Sequence, residues 1–163
     1  MKYLFVVLIT VFSLSACQQS GGREQALQHQ IDSLQLQVEN SYKPGFGDLM
    51  GSVQIHHNKL WFAGTNENWP LAEFAMHEIE EIFEDMRVYH PDRAETQVLP
   101  MIDPALAAMH TAIDGQNSEL FKEGYLTLSN TCNTCHAATN FEFIKIVVPT
   151  TPAFSNQDFN PEH

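Results

Sequence analysis

The chain has 163 residues, with 20 acidic and 8 basic side chains and a formal net charge of −12. That length allows one modest domain. An acidic surface of this kind disfavours phosphate backbones and anionic headgroups, so no nucleic-acid partner is expected; it would steer in basic partners at rates that fall with salt. Solubility alone also accounts for the charge.

Residues 1–16 read as a secretory signal, with Lys2 as the charged head, Tyr3 to Phe12 as the apolar core and small residues before Cys17. The run is shorter than the about 20 residues of a membrane-spanning helix. Leu14-Ser15-Ala16-Cys17 resembles the bacterial lipobox, which implies cleavage before Cys17 and lipid attachment to it. An ordinary cleavage site preceding a free thiol is the alternative. Gln18 in place of Asp implies, by the same resemblance, the outer membrane of a Gram-negative bacterium, facing the periplasm. Loss of the signal removes Lys2 and no acid, which moves the charge from −12 to −13.

Between Arg23 and Asn40, Leu27, Ile31, Leu34 and Val38 recur at spacings of four, three and four, the seam of a short coiled coil. Fewer than three heptads are marginal alone, so a stalk that spaces the domain from the membrane is favoured over self-association into a homodimer. Lys43-Pro44-Gly45 breaks the pattern. A first core helix then spans about 45–63, with Phe46, Met50, Val53, His57, Leu60 and Gly64 on one face.

Pro70 opens a second helix whose stripe is Leu71, Ala75, Ile79, Ile82, Phe83 and Met86; the acids between Glu78 and Asp85 form its solvated face. His90-Pro91 ends it, and a polar loop follows. Asp103-Pro104 reads as the cap and first turn of a third helix, carrying Leu106, Met109 and Ile113 and stopping at Gly115. Asn117 or Ser118 caps a fourth, with Phe121, Tyr125, Leu128, Cys132 and Cys135 on its stripe. The β-branched segment after Asn140 has no partner strand, so it is expected to dock as an extended arm. The expected fold is all-α, an antiparallel up-down-up-down four-helix bundle with an N-terminal stalk helix and an extended C-terminal arm. Its divisions are signal 1–16, lipidated linker and stalk 17–43, bundle 44–140 and arm 141–163.

Cys132-Asn133-Thr134-Cys135-His136 has the spacing of covalent haem c attachment: two thiols add to the two vinyl groups and the adjacent histidine lies beneath the iron. One haem c is therefore expected, bound by Cys132, Cys135 and His136. A zinc site would want further Cys or His ligands, a redox dithiol a βαβ setting, and a disulfide gains little from so small a loop. Helix order and motif together resemble the cytochrome c-prime superfamily over roughly residues 44–140. The resemblance implies a haem near the end of the last helix and a sixth iron ligand from the first. The stalk, the arm, and Ala137-Ala138-Thr139 where basic residues often follow are departures. The string His57-Asn58-Lys59-Leu60-Trp61-Phe62-Ala63-Gly64 looks like that of uncharacterised exported haem proteins.

In an antiparallel pair the end of the fourth helix lies beside the start of the first, so an inward residue early in the first helix is the expected sixth ligand. Met50 meets both conditions and stands where low-spin c-prime relatives carry methionine. His57 is the alternative, about 10 Å further along the axis at about 1.5 Å per residue; His56 points about 100° away. His29, His77, His90, His110 and His163 follow no pattern and read as surface or loop residues. Trp61, Phe62, Trp69, Phe74, Phe83 and Phe121 would supply an apolar shell, or plain core. Six-coordinate iron means one-electron transfer with periplasmic redox proteins and no enzyme activity. An open position means binding of nitric oxide or carbon monoxide. A haem that only staples the fold is a third class.

Overall fold

The computed structural model describes residues 2–39 and 41–161, with side chains from residue 21 onward. The side chain of Cys17, and all of Asn40 and His163, lie outside the described residues. The chain divides into two compact units, Met1–Lys43 and Pro44–His163.

In the first unit one continuous helix, α1, spans Lys2–Glu39. No proline interrupts it, and Gly21-Gly22 costs only about 1 kcal/mol per residue relative to alanine in a helix interior. Leu27, Ile31, Leu34 and Val38 are all about half exposed or more. Among the described residues no helix is long and apolar enough to cross a membrane.

In the second unit every regular element among the described residues is helical: α2 (Phe46–Thr65), α3 (Trp69–Tyr89), α4 (Ala94–Val98), a 3₁₀ turn (Leu99–Ile102), α5 (Asp103–Asp114) and α6 (Ser118–Ala138). This is compatible with a helical bundle. The ends follow local chemistry. Gly45 leads into α2, its carbonyl accepting from Asp48 and Leu49 N–H. Asn68 caps α3 by accepting from Leu71 N–H, with Pro70 in the first turn, and Asn117 caps α6 by accepting from Glu119 and Leu120 N–H. Glu67, Gln116 and Asn140 take positive φ at the ends of α2, α5 and α6.

Two expectations need correction. Between α3 and α5 only residues 90–93 are loop and residues 94–102 are helical, because Leu99 and Ile102 are buried there and the Arg93–Glu95 ion pair closes the start. Asp103 is not a cap: α5 is entered directly from the 3₁₀ turn, so its first amides are not orphaned, and the Asp103 carboxylate accepts from Arg87 instead.

The core runs through Leu60, Ala63, Ala75, Met76, Met109, Phe121 and Tyr125, all fully buried. Small residues set the spacing. A Cβ on Gly64 would fall 2.1 Å from the Phe121 ring, and one on Gly124 2.8 Å from Met109 Sδ. Enlarging Gly64 would force the buried Phe121 ring aside, and enlarging Gly124 would require the Met109 side chain to shift.

After Ala138 the chain is irregular and lies against the helices through asparagine side chains. Asn58 Nδ2 donates to Thr151 O at 3.1 Å and its Oδ1 accepts from Ala153 N–H at 2.8 Å. Asn68 Nδ2 donates to Phe159 O and Asn160 O. Asn133 engages Ile146 through both its oxygen and its nitrogen.

Candidate functional site

An apolar cleft opens where the starts of α2 and α4, the 3₁₀ turn, the end of α6 and the arm meet. Its cavity volume is about 240 Å³, just below the about 300–1,000 Å³ of common ligand pockets. Cys132, Cys135, His136, Met50 and His57 all line it. The residues singled out by motif and stripe are thus brought to one place.

Cys132 and Cys135 are three positions apart on α6, Cys135 buried and Cys132 partly so. Burial pushes the Cys132 thiol up to about 12, with the neighbouring Cys135 adding to it. Burial, and then Glu95, also raises Cys135. A working redox dithiol lowers its thiol pKa. These thiols are arranged the other way. Among the described residues no group of three or more His, Cys, Asp or Glu side chains gathers as a metal site.

His136 sits in the last turn of α6. Its Nδ1 lies 2.7 Å from Ile144 O, and a carbonyl only accepts, so Nδ1 carries the proton and donates it. Nε2 then holds the free lone pair. This is the arrangement that fixes the tautomer and raises the basicity of a ligating imidazole.

His57 shares the cleft but is differently placed. It is 5% exposed, stacked on Tyr125 with ring centroids 4.4 Å apart. Its Nδ1 is 2.9 Å from Tyr125 Oη, its Nε2 is 3.0 Å from Ser129 Oγ, and Tyr125 Oη also donates to His57 O. The Tyr125 hydroxyl has one proton for His57 O or Nδ1, and the Ser129 hydroxyl one for Tyr125 O or Nε2, so the neutral imidazole donates to one of these hydroxyls and accepts from the other. Both ring nitrogens are thereby engaged with the imidazole neutral. Burial pushes its pKa down to about 4.

Met50 lines the cleft and packs, partly buried, on the core. His56 does not line it, lying 3.7 Å from Glu78. Of the six aromatics considered for an apolar shell only Phe83 lines the cleft; Phe46 and Phe141 join it. Trp69 and Phe121 pack together in the core, Trp61 lies on Tyr125, and Phe62 meets Phe159 of the arm.

Sequence reading missed several polar contacts. Arg93 grips Glu95 through two nitrogens at the cleft wall and lies over the Phe46 ring. His90 is 2.9 Å from Pro44 O and edge-on to Phe46. His110 lies between Glu80 at 2.9 Å and Glu73 at 3.4 Å. His90 and His110 are therefore partnered links between elements rather than plain surface residues. Their partners are 46 and 30 residues away in sequence, beyond the reach of any local pattern. No family model, curated protein or solved structure matches the chain.

Proposed function

We propose that the chain is an exported monohaem c-type cytochrome that passes single electrons while tethered to a membrane by lipid on Cys17. The observation that carries this reading is the gathering of Cys132, Cys135, His136 and Met50 in one apolar cleft. The donor set fits the group. Two thiols on one face of α6 suit two vinyl groups, and His136 has Nε2 to offer because Nδ1 is engaged elsewhere. Haem, when bound, would supply a one-electron iron couple; Cys132 and Cys135 would attach it, and His136 Nε2 and the Met50 thioether would hold its iron.

Met50 is the sixth ligand in this reading. His57 would have to give up Tyr125 or Ser129 to free one ring nitrogen, inside a site where unpaired polar groups are costly. Six-coordinate iron leaves no position for a substrate, so electron transfer with periplasmic redox proteins follows, through small charge-steered contacts.

The helices α2, α3, α5 and α6 are read as an antiparallel up-down-up-down bundle of the cytochrome c-prime kind. The order of contacts supports the antiparallel pairing of α2 and α6: Gly64 faces Phe121, His57 meets Tyr125 and Ser129, and Met50 shares a cleft with Cys132 and His136. Rising numbers on α2 thus meet falling numbers on α6. Residues 1–16 are read as the signal and 17–43 as the lipidated stalk, the protein facing the periplasm from the outer membrane.

The test is the optical spectrum of the purified full chain, oxidised and reduced, with and without carbon monoxide, beside a pyridine haemochrome assay. Sharp reduced α and β bands, a weak long-wavelength sulfur-to-iron band when oxidised and indifference to carbon monoxide are expected. A broad high-spin spectrum that shifts with carbon monoxide would replace electron transfer by gas binding, and absence of haem would end the reading. Cys17→Ser should release the protein from the membrane fraction.

A further inference from the structure

We infer that the C-terminal arm is the wall that orients His136, and that Asn133, inside the haem motif, is the positioning residue that fastens it. The inference rests on the haem reading above. Asn133 Oδ1 accepts from Ile146 N–H at 2.7 Å and its Nδ2 donates to Ile146 O at 2.9 Å. This pair copies the donor and acceptor of a neighbouring strand. Two residues earlier on the arm, Ile144 O accepts the Nδ1 proton of His136 at 2.7 Å. At the near end, Phe141 N–H donates to His136 O at 2.7 Å, and Ile144 N–H closes a turn onto Phe141 O at 2.8 Å. Residues 141–146 therefore form a loop pinned at both ends to α6, at positions 133 and 136, with the Ile144 carbonyl held between the pins.

Burial explains this placement only in part. Phe143 is 76% and Ile144 43% exposed while Phe141 and Ile146 are half-buried, so hydrogen bonds fix the register of the segment. What it does accomplish is to line the cleft with Phe141, Ile144 and Ile146 and to give the imidazole an acceptor. A carbonyl on Nδ1–H makes Nε2 a stronger donor to a metal and favours the more highly charged ferric state. Asn133 touches neither the metal-binding nitrogen nor the thiols. It acts through the arm.

The test is a double-mutant cycle on the full-length haem protein, with Asn133→Ala and Ile146→Pro, which removes the amide that Asn133 accepts. The pyridine haemochrome count should stay at the wild-type value for all variants, because attachment needs only the cysteines and the histidine. Hydrogen exchange at the Phe141 amide should accelerate in each variant, and the midpoint potential should rise by the equivalent of about tenfold in the iron equilibrium, about 59 mV for one electron. The two changes should not add. Asn133→Asp, which keeps the accepting oxygen and loses the donor, should fall between, and it serves if Asn133→Ala does not fold. Accelerated exchange with an unchanged potential, or fully additive shifts, would overturn the inference while the haem reading stood. A wild-type chain without haem would instead remove the reading beneath it.

Discussion

His57 on α2 and His136 on α6 line the same cleft, yet their surroundings differ in kind. His57 is enclosed, stacked on Tyr125, and has a partner on each ring nitrogen. His136 is half-buried and its bond to the Ile144 carbonyl engages one nitrogen only. Burial and polar contacts make the first a structural tie between two helices. The one nitrogen left over leaves the second free for the proposed role of ligand. The difference teaches that a histidine's capacity to bind metal is read from what its second nitrogen lacks rather than from how central it is.

That contrast can be broken most decisively at the thiols beside His136. Cys132→Ser together with Cys135→Ser should abolish covalent haem, so that acid–acetone extraction leaves no pyridine haemochrome with the protein; retained haem would mean that the cleft is not its site. Met50→Ala comes next in size. It should turn a low-spin haem high-spin and let carbon monoxide bind, and an unchanged spectrum would remove Met50 as ligand.

His57→Ala should act on the other side of the comparison, lowering stability by roughly 1–3 kcal/mol in chemical denaturation while leaving the spectrum low-spin. A high-spin spectrum there, with Met50→Ala silent, would exchange the two roles. The pH dependence sharpens the same point. His57 is held neutral by burial, at about 4, against an ordinary value near 6.5. Below that ordinary value the unfolded chain takes up a proton that the folded chain refuses. Its contribution is therefore present above about pH 6.5 and is lost as pH falls toward 4, and the acid slope of the wild type in that window should flatten in His57→Ala.

The smallest effect belongs to His110. Burial opposes its charge, but Glu80 and then Glu73 outweigh burial and hold its pKa above the ordinary value. Its contribution is present below about pH 6.5 and disappears as pH rises through the raised value. The pair is partly exposed, so His110→Ala should cost well under about 1 kcal/mol at pH 5.5 and nothing measurable at pH 8, in paired denaturant titrations.

The long helices of the second unit were legible because each carries one apolar stripe at helical spacing between strong punctuation, Pro44-Gly45, Asn68 with Pro70, His90-Pro91, Gly115 and Asn117. The residues that meet in the cleft were legible from the same stripes, since an inward face and a position along the axis already place Met50 near Cys132. What escaped was short or non-local. α4 has five residues, fewer than two turns, and no stripe can declare itself in that length. Asp103 looked like a cap because the turn preceding it was read as loop. The engagement of His57 depends on hydroxyls 68 and 72 residues away, and the fastening of His136 depends on a main-chain carbonyl, which has no signature in any sequence.

The asparagine ties have a consequence for how the C-terminal segment can vary. A paired strand that gains or loses two residues can slide along its neighbour and recover most of its bonds. Here the fastenings stand at fixed addresses, Asn133 at Ile146, Asn58 at Thr151 and Ala153, and Asn68 at Phe159 and Asn160. A single insertion between residues 147 and 150 would put the later contacts out of step while leaving the first intact, and no slippage could repair them. Loops usually tolerate changes in length. This one behaves like a ruler, with its spacing as constrained as that of a motif.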